Sequence, residues 1–134
     1  MLEDSPLFNA GRGSVYNSDE VQEMDASIMD GKNRLSGAVA SVTSVKNPIK
    51  LARKVAEETK HVLLMGEGAE RFAKDIGVDI VEKDYFYNEE RLKRLRNSKK
   101  KVSKLNESTD KIGTVGAVAL DKNCLLYTSP SPRD

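Results

Sequence analysis

Hydrophobic positions gather in short runs near the start of the chain, at residues 14–16, 24–29 and 38–45, with polar turns at 17–20 and 30–34 between them. The Asp30-Gly31 pair is a hairpin signal, because both residues tolerate the left-handed backbone of tight turns. This spacing predicts an antiparallel strand meander. Asn47-Pro48 then opens a helix: Asn is a good N-cap, and Pro is tolerated at the first helical position, where its missing N–H had no partner. Ile49, Ala52, Val55 and Ala56 recur at helical spacing on one face, with Lys50, Arg53, Lys54, Glu57 and Glu58 on the other. Residues 61–65 read as a buried strand. Gly66-Glu67-Gly68 leads into a second helix, residues 69–76, stopped by Gly77. A third helix, from Asn88 to about Lys99, carries only Leu92 and Leu95 as apolar positions and belongs on the outside.

Before the meander, residues 1–13 are rich in turn formers, and two glycines flank Arg12, which suggests a positive φ or a close backbone approach. Residues 97–113 are polar almost throughout and read as a mobile linker. Residues 114–122, starting Thr-Val-Gly-Ala-Val-Ala-Leu, read as a buried strand of small and β-branched residues. Residues 123–134 are set apart: from Cys124 onward they can be encoded without mismatch by a transposase-type sequencing adapter read in frame, and are excluded from fold reasoning. The elements together give an α+β class.

Composition narrows the function classes. Only 38% of the 134 residues are hydrophobic and 32% are charged, so the core is thin for the length. With 22 basic and 21 acidic residues the chain has no overall field to attract nucleic acid or anionic lipid. The single cysteine cannot form an internal disulfide. No apolar stretch approaches the roughly 20 residues that cross a bilayer, and neither a membrane nor a nucleic-acid partner is expected. The expectation is a cytoplasmic protein.

The junction of linker and strand carries the chemistry. A threonine hydroxyl needs a base, and a threonine at a chain terminus has one in its own α-amine. That amine has an ordinary pKa of about 7.7–8.0, leaving a neutral fraction near pH 7. Gly113, lacking a Cβ, leaves room for Thr114 to attack the preceding carbonyl. The lone histidine, His61, stands in an apolar run and reads as structural. Asp25 and Asp30 read as local hydrogen-bonding groups, Met24, Met29 and Met65 as core fillers, and Glu67 and Glu70 as helix-start charges.

GTVGAVALD at 113–121 resembles the nucleophile strand of the isoaspartyl peptidase and plant-type asparaginase family. LEDSPLFNAGRGSV at 2–15, EMDASIMDG at 23–31, GAVASVTSVKNPIKLAR at 37–53 and GEGAERFA at 66–73 resemble further motifs of that family, in the same order. The resemblance implies a four-layer αββα sandwich of the N-terminal nucleophile hydrolases, present here in part and incomplete at both ends. It implies self-cleavage between Gly113 and Thr114, residues 1–113 forming part of the α chain and 114–122 the first β-chain strand. Hydrolysis of asparagine and β-aspartyl dipeptides follows, with Thr114 as nucleophile, Asn9 beside it and no catalytic cofactor. It implies a structural sodium held by the backbone carbonyls of Leu2, Glu3, Ser5, Phe8, Ala10 and Arg12, oxygen ligation being suited to a hard cation. A dimer of processed units is implied for the intact enzyme. The family's glycine-rich segment, substrate clamp and oxyanion threonine are not found in the 134 residues, so this polypeptide alone is expected to be inactive. Two other readings stand beside this one: a glycosylasparaginase-like hydrolase, and a small basic nucleic-acid-binding module using residues 91–96 and 99–101.

Overall fold

The structure, a computed structural model, describes residues 2–102, 115–123 and 126–129. Strand β1 (Met24–Asp30) pairs antiparallel with β2 (Leu35–Val42), as the Asp-Gly signal implies. The connecting loop spans four residues, and the positive φ falls on Arg34 (54°) instead of on Gly31. The carboxylate of Asp30 organises this turn, accepting from the Lys32 and Asn33 backbone N–H groups and the Asn33 side chain. Asp25 bonds across the pair instead, accepting from the Ser41 N–H at 2.8 Å, where a bulge shifts the register and holds Ser41 at φ 52°.

Helix α1 (Pro48–Glu58) follows β2 and covers the inner face of the hairpin. Leu51, Ala52 and Val55 are its buried positions, while Arg53–Glu57 and Lys54–Glu58 pair along its exposed side. Gly37 makes this contact possible, since a Cβ there would stand 2.2 Å from the Ala52 carbonyl oxygen. The chain returns as β3 (Leu63–Met65), parallel to β2, and enters α2 (Gly66–Asp75), whose Ala69 and Ala73 complete the core with Val39, Val42, Val45 and Phe86. Glu70 leaves the helix start to its neighbour Glu67. Its carboxylate accepts from the Thr43 and Ser44 N–H groups and the Thr43 hydroxyl.

Several expectations from the sequence are corrected. Residues 14–16 form no strand, so the meander is a two-stranded hairpin extended by a parallel crossover. The segment is held by side-chain hydrogen bonds: buried Gln22 donates to the Ser14 carbonyl (2.8 Å) and the Phe86 carbonyl (3.0 Å). Helix α3 (Glu89–Val102) runs past residue 97 into the stretch read as linker; the rest of that stretch, 103–113, lies outside the described residues. His61 is exposed.

The sheet order is β3-β2-β1-β5-β4, with β4 (Ala117–Leu120) and β5 (Leu126–Ser129) antiparallel to each other and β5 antiparallel to β1. The pairing of β5 rests on backbone groups that any strand-permissive sequence supplies, so it says nothing of the segment's origin. Neither β3 nor β4 is buried as expected. Register explains why: Ala38 pairs with Leu63, Ala40 with Met65, Ser36 with Met29, and Met29 with Thr128, which pairs with Val118. Paired residues share a face, and this face is opposite to that of Gly37 and α1. Met29 (53% exposed), Met65 (62%) and Val118 (69%) therefore stand on an uncovered apolar surface, and of the three methionines read as core fillers Met24 alone is buried.

Candidate active site

The first loop consists of two 3-10 turns, Leu2–Asp4 and Gly11–Gly13, folded against each other. Its glycines explain the tightness. Gly11 sits at φ 52°, and a Cβ on it would lie 2.3 Å from the Glu3 carbonyl oxygen; one on Gly13 would lie 2.0 Å from the Phe8 carbonyl oxygen and 2.7 Å from that of Pro6. Close approach is thus required at both glycines flanking Arg12, and positive φ at one. The carbonyls of Leu2 and Ala10 accept from Ser5 (3.3 Å) and Gly13 (3.1 Å). Among the described residues no cluster of three or more His, Cys, Asp or Glu could hold a metal. The Glu3 and Phe8 carbonyl oxygens pack directly against Gly11 and Gly13.

Asn9 is fixed by its side-chain oxygen, which accepts from the Val15 N–H at 2.9 Å. Gly113 and Thr114 lie outside the described residues, which resume at Val115.

Glu3 bolts this loop to the core. Its carboxylate accepts from the Ile49 N–H at 3.0 Å, satisfying a helix-start donor of α1. The sequence assigned that cap to Asn47, whose side chain turns away and donates to Asp4 (3.1 Å). Burial pushes the Glu3 carboxyl above its ordinary value, only partly offset by the Ile49 and Asn47 hydrogen bonds, and its Oε2 is buried with no partner. Asn47 holds Asp4 below the usual carboxylate range. On the loop's far side Arg12 and Lys46 both lie over the ring of Tyr85, at 5.8 and 5.7 Å from its centre.

The basic run of α3 is engaged within the molecule. Arg96 makes a two-pronged pair with Glu20 (3.0 and 2.8 Å), Arg91 donates to the Leu7 carbonyl (3.3 Å), Lys99 donates to the Ser18 carbonyl, and Lys93 pairs with Glu89. Of this run Lys93 and Arg96 are paired with carboxylates, so the contacts do not by themselves decide the nucleic-acid reading. A cleft of about 170 Å³ lies between residues 16–22 and 83–87, and none of the site residues named from the sequence lines it. The side-chain roles of Glu3, Glu20, Gln22 and Glu70 were not anticipated. Each acts on a partner at least eight residues away, and no local pattern announces such a contact.

Residues 1–131 match the protein-family model described as Asparaginase. The chain is 48% identical over 131 residues to an isoaspartyl peptidase/L-asparaginase of Rattus norvegicus, covering 96% of this chain and 39% of the relative. It is 42% identical over 138 residues to an isoaspartyl peptidase of Escherichia coli, covering 98% and 43%. A plant-type L-asparaginase of Thermococcus kodakarensis is 48% identical over 134 residues, covering 90% and 43%. The chain therefore spans about two fifths of the length of the curated relatives it matches.

Proposed function

The chain belongs to the asparaginase family, and on that premise we propose that the protein it forms part of hydrolyses the side-chain amide of asparagine and the isopeptide bond of β-aspartyl dipeptides. The match over residues 1–131, which contains GTVGAVALD at 113–121, carries this reading. The names of the relatives support the substrate class.

Activation begins with attack of the Thr114 Oγ1 on the Gly113 carbonyl carbon. The C–N bond breaks as the C–O bond forms, the nitrogen becomes a free α-amine, and water opens the ester to leave a Gly113 carboxylate. In turnover the same oxygen attacks the substrate carbonyl while the new amine takes its proton. Ammonia or an amino acid leaves, and water releases aspartate from the ester. Asn9 belongs beside the nucleophile, its side-chain oxygen already held by Val15.

We assign to the first loop a structural sodium bound by the carbonyls of Leu2, Glu3, Ser5, Phe8, Ala10 and Arg12. Support comes from the close approach of the Glu3 and Phe8 oxygens to Gly11 and Gly13. The ion would hold the loop's shape and takes no part in bond making. The uncovered face bearing Met29, Leu63, Met65, Val118 and Leu120 supports a second sheet stacking there, which would complete the αββα sandwich. We place the mature enzyme in the cytoplasm as a dimer of processed units. No helix among the described residues is long and apolar enough to cross a membrane. Residues 123–134 we assign to adapter-derived sequence.

The test is the mass of the purified full-length gene product. Two fragments separated at Gly113–Thr114 are expected, and the 134-residue chain expressed alone should stay whole and inactive. A full-length product that hydrolyses asparagine without being cut would overturn the reading.

A further inference from the structure

The sequence contains a single Asp-Gly pair, Asp30-Gly31, and the fold puts it at the exit of β1, where residues 31–35 are exposed. Asp-Gly is the dipeptide most open to an intramolecular rearrangement, because glycine has no Cβ to keep its nitrogen away from the preceding carboxyl group. In that reaction the Gly31 nitrogen attacks Cγ of Asp30 and a C–N bond forms. One carboxyl oxygen leaves as water, taking the acid proton and the Gly31 amide proton. Water then opens the cyclic imide at either carbonyl. One opening restores aspartate; the other leaves the chain running through Cγ, an isoaspartyl linkage of unchanged mass.

The turn holds the reacting atoms apart. Asp30 Oδ1 accepts from the Lys32 N–H at 2.9 Å and the Asn33 N–H at 3.4 Å, and Oδ2 accepts from the Asn33 side-chain amide at 2.7 Å. Both oxygens are engaged by the residues beyond Gly31, and the Asp30 backbone is fixed by its pairing with Leu35, the last rung of the β1–β2 ladder. The Asn33 amide also holds the Asp30 carboxyl below the usual carboxylate range, which depletes the neutral acid, the form able to lose water. We propose that Asp30-Gly31 is a latent modification site, an isoaspartate-forming bond kept closed by the side chain of Asn33. Once formed, the linkage would add a backbone carbon at a rung whose register depends on strict alternation, and the end of the hairpin would loosen. The inference stands on this turn and is independent of the hydrolase reading.

The experiment ages the full-length gene product at neutral pH and quantifies isoaspartate at residue 30 by backbone fragmentation of the peptide that contains it. A synthetic peptide of residues 27–36 serves as the unlocked reference and should accumulate isoaspartate faster than the native protein. Asn33→Ala and Asn33→Asp, both lacking the amide donor, should accumulate it about fivefold faster than the native protein, the equivalent of one ordinary hydrogen bond. Lys32→Ala, which keeps its backbone donor, should age at the native rate, and Gly31→Ala should slow the reaction in protein and peptide alike. Equal rates in native protein and peptide, or no isoaspartate in the peptide, would overturn the proposal. So would native rates in both Asn33 variants, or an equal acceleration in Lys32→Ala, which would mark general loosening of the turn.

Discussion

Two regions of this molecule are held by different physics. The body of β1, β2, α1 and α2 is joined by buried apolar surface, with Leu51, Val39, Val42, Val45, Val55 and Phe86 essentially inaccessible. The outer belt, made of the first loop, the 14–22 stretch and α3, is joined by single carboxylates and amides reaching across tens of residues: Glu3 to Ile49, Gln22 to Phe86, Glu20 to Arg96. Apolar packing tolerates exchange between similar shapes, whereas a directed hydrogen bond depends on one atom. The belt carries Asn9 and the residues assigned above to the ion, so the placement of both depends on individual polar contacts.

The largest effect should come from the body. Leu51→Ala removes a fully buried side chain between α1 and the sheet and should cost about 3 kcal/mol in thermal or denaturant unfolding, at low and high salt alike. A strongly salt-dependent loss would blur the distinction between the two regions.

Glu3 tests the belt's attachment. Glu3→Ala deletes the acceptor for the Ile49 N–H and should cost about 1 kcal/mol. Glu3→Gln keeps an acceptor there and places an amide where the partnerless Oε2 stands. The pH dependence has a defined sign. Burial raises the folded-state value of Glu3, so its contribution is fully present below the unfolded value and is lost as pH rises through the raised one. The Gln variant, which cannot ionise, should therefore gain on the native protein as pH rises from the ordinary glutamate value of about 4.3 through the raised one. A gap that widens the other way would mean the carboxylate is better stabilised than its surroundings indicate.

The smallest effect lies at the body's margin. A Cβ at Gly68 meets nothing within 4 Å, and its φ is not positive, so Gly68→Ala in α2 should stabilise this chain by about 0.5–1 kcal/mol. Destabilisation in the full-length protein alone would mean that another segment packs there.

Sequence reading was most successful where information is local. The β1–β2 hairpin and α1 were legible because an Asp-Gly turn, a proline at a helix start and a 3.6-residue apolar repeat act within a few residues. The two glycines around Arg12 were legible as a need for close approach, but not what approached them. Met29, Met65 and the strand beginning at Ala117 were misread as buried, because apolar character records that a face is meant to be covered and not by what. The end of α3 was misplaced because a charged, lysine-rich helix and a polar linker have nearly the same composition. The Glu3 cap was invisible because its partner lies 46 residues away. Thr114 was named through a family motif, with no help from periodicity or charge, and lies outside the described residues.

The central claim is that the Thr114 hydroxyl is the nucleophile, and replacing that group in the full-length gene product tests it most directly. Thr114→Ala should remain a single uncut chain that releases no ammonia from asparagine, while Thr114→Ser, which keeps a hydroxyl, should cut and retain measurable turnover. Full hydrolysis by the alanine variant would contradict the account.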